Sequence, residues 1–137
     1  MSAAPLRKIG EIASYHAHIY FDPDFGRAAA LALQGAIADR FAVRLGRAWD
    51  RPVGPHSRAM YQVAFAPPLF SSLVPWLMLN NMGLSILVHP NTANPRRDHL
   101  HDALWIGPAL PLAGEVLPDD QVADLAGEPN TTPHTQP

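Results

Sequence analysis

Two histidines, His16 and His18, stand two residues apart in the segment 15–21, whose residues are typical of a β-strand. Because side chains alternate across a strand, both imidazoles point to the same face, with roughly 6 to 7 Å between their Cα atoms. Two imidazoles on one face of a rigid element are the beginning of a metal site. A second apolar run, 84–90, carries His89 and supplies a third candidate ligand. The sequence therefore predicts a metal held by His16, His18 and His89, provided that the two segments meet.

The types of residue in the chain narrow the choice of metal. Cysteine is absent, which excludes disulfides and thiolate ligands and leaves histidine, carboxylate and water. Neutral imidazoles favour Fe, Zn, Cu or Ni over Mg or Ca. Fewer than four protein ligands leave open positions, as in a catalytic rather than a structural site. A carboxylate ligand remains an alternative, because Asp22 shares the parity of His16 and His18, although Asp22 also fits as a helix cap.

Two further histidines are candidates for moving protons, because histidine can change its charge near neutral pH. His56 lies in a turn that leads into a later strand, and His99 lies on a predicted helical turn, where it would diverge from His101. The roles of these histidines stay open at this point. His56 can instead be a metal ligand, in which case His16 does not bind the metal directly.

Three residues are candidates for substrate contact. Tyr20 shares the strand face of His16 and His18, so it can line a pocket or orient a substrate hydroxyl. Arg58 and Gln62 share a parity on a later strand, and Arg58 can meet a substrate carboxylate.

Hydrophobic periodicity predicts the elements that position these side chains. The segment 12–21 is the first strand, and Asp22-Pro23 is a helix start. Apolar residues then recur at four-residue spacing, at Phe25, Ala29, Leu33, Ile37 and Phe41. Further along, the pattern predicts strands over 41–49, 60–65 and 84–89, a helix over 69–82 that is kinked at Pro75, and a helical turn over 98–104.

The resulting order is β-α-β-β-α-β, an α+β, ferredoxin-like sandwich with an antiparallel sheet. Right-handed crossovers give the strand order 4-1-3-2, which places the first strand beside the fourth and His89 beside His16 and His18. The histidine face is expected to be open, or to lie inside a homodimer. Residues 1–110 are predicted to form this domain, and 111–137 a Pro-rich, partly disordered tail.

Composition excludes several classes of partner. The chain is 47% hydrophobic with a formal net charge of −2, which indicates one soluble globular domain. Its few basic residues are scattered, so nucleic-acid binding is not expected. No apolar run is long enough for a membrane span and no signal-peptide pattern is present, so a cytoplasmic location is expected.

Five blocks of residues form a specific pattern, in order from Tyr15 to Gly107. The blocks are Tyr15-His16-Ala17-His18-Ile19-Tyr20-Phe21-Asp22, Gly54-Pro55-His56, Tyr61-Gln62-Val63-Ala64-Phe65, Gly83-Leu84-Ser85-Ile86-Leu87-Val88-His89-Pro90, and Asp98-His99 through Ala103-Leu104-Trp105-Ile106-Gly107. This pattern resembles the DOPA 4,5-dioxygenase family. Two departures from the family pattern bear on substrate preference more than on the metal: Asn91-Thr92-Ala93-Asn94 replaces a Thr-Gly-Asp-like stretch, and Asn81 stands where Arg is expected.

This resemblance implies a ferredoxin-like, usually dimeric domain that cleaves a catechol ring with O2 and non-haem Fe(II). L-DOPA or a related catechol would be opened outside its two hydroxyls to give a muconic semialdehyde. Fe(II) would be held by His16, His18 and His89, with His56 and His99 as acid and base. Two other functions stay open: a Zn-dependent hydrolase or isomerase on the same histidines, and a non-catalytic dimeric binding module.

Overall fold

The computed structural model describes residues 4–137 and confirms the α+β class. Short 3-10 turns occur at Ile9–Glu11, Pro67–Leu69 and Gly114–Val116. The remaining elements, in chain order, are β1 (Ser14–Phe21), α1 (Arg27–Arg40), β2 (Arg44–Leu45), β3 (Ala59–Phe65), α2 (Phe70–Leu79), β4 (Ile86–Asn91), α3 (Pro95–Leu100) and β5 (Leu104–Ile106).

All neighbouring strands pair antiparallel, in the order β2-β3-β1-β4-β5. The four predicted strands therefore have the predicted order, and the difference in detail is a fifth strand, β5, on the outer side of β4. Ile106 of β5 pairs with Ile86. Because β5 is only three residues long, its alternation is too short to identify it as a strand from the sequence.

One face of the sheet packs against α1 and α2, as the alternation along β1 predicts. Ala17, Ile19 and Phe21 are buried there with leucine and isoleucine side chains from both helices. Each fully buried aliphatic or aromatic side chain contributes about 1.5 to 3 kcal/mol. A slip of one residue would move this set to the opposite face, so the core fixes the register of β1 and with it the face on which His16 and His18 lie.

The opposite face is covered by the chain's own loops, and the expectation of an open face is wrong. Tyr20, Met60 and Leu87 are buried on this side and pack against residues from the segments 49–53 and 103–112, among them Trp49 and Trp105. The segment between β2 and β3 and the chain after α3 are long enough to fold back over the sheet. The homodimer was inferred from an open face, so it stays a prediction without that support.

Helix α1 begins later than predicted, at Arg27 rather than at Pro23. Asp22 caps a turn instead, since its Oδ1 accepts a hydrogen bond from the Asp24 amide at 2.9 Å. Its carbonyl accepts from the amides of Phe25 and Gly26. The turn directs Phe25 outward, 89% exposed, so Phe25 does not belong to the apolar stripe.

The segment 111–137 has little regular structure, but it lies against the sheet. Thr131 Oγ1 accepts from the Val43 amide at 2.9 Å and donates to the Phe41 carbonyl at 2.7 Å. The Asn130 side chain bonds to both backbone groups of Leu45, at 2.7 and 2.9 Å. These bonds satisfy the outer edge of β2. The division into a domain over 1–110 and a tail over 111–137 stays a prediction, and residues 1–3 lie outside the described part.

Helices in the described range 4–137 are all too short or too polar to be candidates for crossing a membrane.

Candidate metal centre

Strand pairing brings the three predicted ligands together. His16 lies directly opposite His89 across β1 and β4, while His18 lies opposite Leu87 on one side and Gln62 on the other. Residues that face one another on antiparallel strands project to the same side of the sheet. One ring nitrogen each from His16, His18 and His89 lie within 4.8 Å of one another.

The contact between His18 and His89 is short and lacks a satisfactory proton arrangement. Nδ1 of His89 lies 2.8 Å from the Pro90 carbonyl, which only accepts, so Nδ1 carries the hydrogen and Nε2 carries the lone pair. That Nε2 lies 3.0 Å from Nε2 of His18. Nδ1 of His18 is buried without a hydrogen-bond partner among residues 4–137. With its hydrogen on Nε2, His18 can donate to Nε2 of His89 but leaves Nδ1 without a partner. With its hydrogen on Nδ1, the Nε2 lone pairs of both histidines face each other, an arrangement that a shared cation between them would stabilise.

Burial keeps the histidines of this region neutral. It lowers the pKa of His16 and of His56 to about 4, and the pKa of His18 and of His89 well below 6.5, with neighbouring histidines adding to the effect. Burial also lowers the pKa of His99. Neutral imidazole is the form that binds a metal. The donor set therefore fits a divalent ion of the Fe, Zn, Cu or Ni class.

His56 reaches the cluster from the loop before β3. Gly54 has a φ of 58°, a left-handed conformation that favours glycine, and the Pro55 carbonyl accepts from the Ala113 amide at 2.8 Å. The Tyr20 hydroxyl lies 2.6 Å from Nδ1 of His56. Burial raises the pKa of Tyr20, so the phenol keeps its hydrogen. This hydrogen has no other acceptor among residues 4–137, so it is satisfied only when Tyr20 donates to Nδ1. Neutral His56 then carries its hydrogen on Nε2.

His99 reaches the cluster from α3, whose first residue is Pro95. Its Nδ1 lies 2.8 Å from the Pro95 carbonyl, so Nδ1 donates and Nε2 keeps its lone pair. One ring nitrogen each from His18, His56 and His99 also lie within 4.8 Å of one another, which makes a second triad that shares His18 with the first. The neighbouring His101 is exposed and belongs to neither triad, in line with the predicted divergence from His99.

Sequence reasoning missed a buried carboxylate beside His99. Asp98 is 1% exposed, and its two oxygens accept from the amide and the hydroxyl of Thr92, at 2.8 and 2.6 Å. Burial raises the pKa of Asp98, against these hydrogen bonds. The pair fixes the loop between β4 and α3. Had the helix been predicted to start at Pro95, Asp98 would have stood in its first turn, where an acidic residue is favoured.

A cavity of about 190 Å³ opens beside the histidines. Pockets for drug-sized ligands usually measure about 300 to 1,000 Å³, so this one suits a single ring with a short side chain. Gln62 lines it as predicted, but Leu117, Gln121 and Asp124 were not predicted. They belong to an irregular segment without periodicity, which offers no signal for placement.

The structure does not bring the other two candidate substrate residues to this cavity. Tyr20 lies behind His56 rather than in the lining. Arg58 is exposed and lines two larger clefts, of about 360 and 440 Å³, that contain no histidine. Strand β3 begins only at Ala59, so the alternation that would align Arg58 with Gln62 does not extend to Arg58. Arg58 therefore does not lie beside the histidine cluster, where its parity with Gln62 predicted it.

Comparison with known proteins connects this geometry to a family. A model of the Dopa 4,5-dioxygenase family matches residues 15–116. The chain belongs to this family. The match covers β1 through the 3-10 turn at Gly114–Val116, and it includes all five clustered histidines.

Two individual proteins are similar to this chain, and one of them carries the name of the family. A DOPA 4,5-dioxygenase from Amanita muscaria is 38% identical over 116 residues, which are 79% of this chain and 51% of the relative. A 21.2 kDa uncharacterised protein from Botryotinia fuckeliana is 44% identical over 78 residues, 51% of this chain and 43% of the relative. The chain thus spans about half of the length of these two relatives.

A solved structure extends the similarity to three dimensions. The crystal structure of a Nostoc punctiforme protein, provisionally described as a dioxygenase, has 49% sequence identity and a TM-score of 0.79. The alignment covers 81% of this chain and 96% of that one. Leu117, Gln121 and Asp124, by contrast, follow the end of the Dopa 4,5-dioxygenase family match at residue 116.

Proposed function

We propose that the chain cleaves the ring of L-DOPA or a related catechol with O2, outside the two hydroxyl-bearing carbons, to give a muconic semialdehyde. The metal is Fe(II), held by His16, His18 and His89. The observation that carries the proposal is the convergence of these three imidazoles on two paired strands. When bound, Fe(II) supplies open positions at which a catechol and O2 can both react.

The choice between the two triads rests on Tyr20. Because the Tyr20 hydroxyl donates to Nδ1 of His56, the second nitrogen of His56 carries a hydrogen and offers no lone pair to a metal. His89, whose Nδ1 donates to a backbone carbonyl, has the arrangement usual for a metal ligand. His99 has the same arrangement at the Pro95 carbonyl, so this feature does not separate the triads. The Tyr20–His56 bond alone favours the triad that contains His16 and His89 over the triad that contains His56 and His99.

His99 acts as the base in this proposal. Its Nδ1 hydrogen is held by the Pro95 carbonyl, so its Nε2 lone pair is available to remove a proton from one catechol hydroxyl. Asp98, one residue earlier, is buried and bound by Thr92, and its negative charge favours the imidazolium that forms on His99.

His56 acts as the acid. With its hydrogen on Nε2, His56 can donate a hydrogen bond to an oxygen atom of the substrate or of O2 in the pocket. It can then deliver a proton as the ring opens. Gln62, directly opposite His18 on β3, supplies an amide that orients the substrate.

The test begins with protein loaded with Fe(II) under anaerobic conditions. A catechol from a panel that includes L-DOPA is added, and air is admitted. We expect uptake of one O2 per catechol and a new visible absorbance from the semialdehyde or its cyclised product. Absence of both across the whole panel, from protein that retains iron, would contradict the function.

A Zn-loaded sample separates the dioxygenase from the alternative hydrolase or isomerase. We expect no O2 uptake with Zn, because Zn has no redox chemistry. Fe(II) in buffer without protein measures the background oxidation of the catechol, and His101→Ala, a change at an exposed histidine outside the cluster, serves as the matched variant.

A further inference from the structure

One wall of the histidine pocket is formed by residues 117–124, the wall segment, which follows the part of the chain matched by the family. The Ser14 hydroxyl donates to the Asp124 carbonyl at 2.6 Å and accepts from Asn91 Nδ2 at 2.9 Å. Ser14 is two residues before His16 on β1. The backbone of Asp124 is therefore held at a fixed place relative to the predicted ligands.

Two carboxylates line the pocket, and they differ in their partners. Asp98 is buried, with both oxygens bound by Thr92. Asp124 lines the pocket and is exposed to solvent, and its carboxylate forms no ion pair with any residue from 4 to 137. Asp124 thus places a carboxylate without a cationic side-chain partner in the lining of the pocket proposed for the catechol.

The lining contains no lysine or arginine among the described residues. Arg58, the residue predicted to meet a substrate carboxylate, lies at other clefts. A substrate side chain that ends in a carboxylate would find no cationic side chain here, and it would be repelled by Asp124. A side chain that ends in an ammonium would find a partner.

We propose that Asp124 is a specificity-determining residue, which pairs with the ammonium group of a catechol side chain, and that the pocket has no cationic side chain to pair with a side-chain carboxylate. This inference rests on the proposed function. It distinguishes amine-bearing catechols from acidic and neutral ones, and it makes the carboxylate of L-DOPA dispensable.

Matched substrates test the proposal. Dopamine and ethylcatechol differ by the amine, as do L-DOPA and dihydrocaffeate, while L-DOPA and dopamine differ by the carboxylate. We expect kcat/KM for dopamine to exceed that for ethylcatechol by about five- to tenfold, the range for a partly solvated charge pair. Dopamine should be at least as good a substrate as L-DOPA. Equal values for dopamine and ethylcatechol would overturn the inference.

Two substitutions assign the preference to Asp124. In Asp124→Asn the ratio of dopamine to ethylcatechol falls to about one, and in Asp124→Lys the preference shifts to dihydrocaffeate. Asp120→Asn is the matched control, because Asp120 is an exposed aspartate of the same segment that does not line the pocket. A ratio that survives in Asp124→Asn, or is lost in Asp120→Asn, refutes the role of Asp124.

Binding without turnover separates this inference from the proposed function. Calorimetric titration of the Zn-loaded or anaerobic Fe(II) protein with dopamine and with ethylcatechol needs no chemistry. If no catechol is cleaved but dopamine binds more tightly, and the difference disappears in Asp124→Asn, the function fails and the inference stands. If catechols are cleaved but the two ligands bind equally, the inference fails and the function stands.

Discussion

The hydroxyl of Tyr20 lies 2.6 Å from Nδ1 of His56 and joins strand β1 to the loop before β3. Tyr20 is two residues after His18 on the same face of β1. One strand therefore carries two of the proposed metal ligands and also the group that sets which nitrogen of His56 bears a proton.

Replacing Tyr20 by Phe should lower kcat about tenfold without loss of iron. The phenylalanine ring keeps the packing against Met60 and Leu87, but it frees His56 to adopt the other tautomer. Acid–base catalysis contributes about 100- to 10,000-fold, so a partly misoriented acid loses a fraction of that. Imidazole ¹⁵N NMR of the Zn-loaded protein reads the tautomer of His56 directly. A variant with unchanged kcat and an unchanged His56 tautomer would show that Tyr20 only fills space.

Replacing His18 or His89 by Ala should abolish iron retention. Loss of a residue that only hydrogen-bonds to a metal ligand weakens metal binding about 10- to 100-fold, and loss of the ligand itself should weaken binding more. Iron per protein chain is measured after gel filtration, with His101→Ala as the control at an exposed histidine. Stoichiometric iron in His18→Ala would refute its role as a ligand, and with it both triads.

Replacing His99 by Gln should leave iron bound and reduce kcat about 100-fold, the size of the contribution expected from a base. The substitution also decides between the triads, because His99 is a ligand only in the triad that includes His56. Iron content and kcat are measured on the same preparation. Loss of iron from His99→Gln, together with its retention in His16→Gln, would exchange the two assignments.

The metal-free protein should lose stability as the pH falls from about 6.5 to about 4. Burial lowers the pKa of His16 and His56 to about 4, whereas the same groups titrate near 6.5 in the unfolded chain. Between these values the unfolded state binds more protons, so the free energy of unfolding decreases with falling pH. Asp98 has the opposite effect on stability. Burial raises its pKa, so the folded state binds its proton more readily than the unfolded state does, and this contribution to the free energy of unfolding increases with falling pH.

Urea titrations at several pH values measure this dependence. His16→Gln should flatten the curve between pH 6.5 and 4, since a glutamine does not titrate. An equally steep curve in His16→Gln would assign the effect to other groups.

Thr131→Val should lower the free energy of unfolding by about 1 to 2 kcal/mol, because the Val43 amide and the Phe41 carbonyl lose their partner. Thr132→Val is the matched control, since Thr132 is exposed and adjacent. Equal stability of the two variants would indicate that the segment 111–137 contributes little to the domain, in line with a partly disordered tail.

Strand β1 and its partners could be predicted from the sequence because their signal is strong. Alternation over 15–21 assigns each residue to a face, and the order β-α-β-β-α-β leaves few topologies. These two facts alone predict that the side chains of His16, His18 and His89 converge. Gln62 was placed correctly by parity because it lies inside β3, while Arg58 was misplaced by the same argument because it lies outside.

The coverings of the sheet could not be predicted, because loops leave no periodic pattern. Asp22 was taken as a helix cap since Pro23 follows it, but the turn it caps lies before the helix. Asp124 reaches the pocket through a single hydrogen bond to Ser14, 110 residues away along the chain. No local feature of the sequence predicts such a contact.

The pocket has two halves with different resistance to local opening. Its histidines on β1 and β4 cannot separate unless the core of the sheet opens. Residues 117–124 are instead attached through isolated hydrogen bonds, such as those from the Ser14 hydroxyl of β1 to the Asp124 carbonyl and from the Gln121 amide to the Ala93 carbonyl, at 2.6 and 2.9 Å. Segments with few apolar contacts open at lower free energy than core strands. We expect amide hydrogens of the wall segment to exchange with solvent long before those of β1. Small molecules can thus enter and leave the pocket without disturbing the proposed metal ligands.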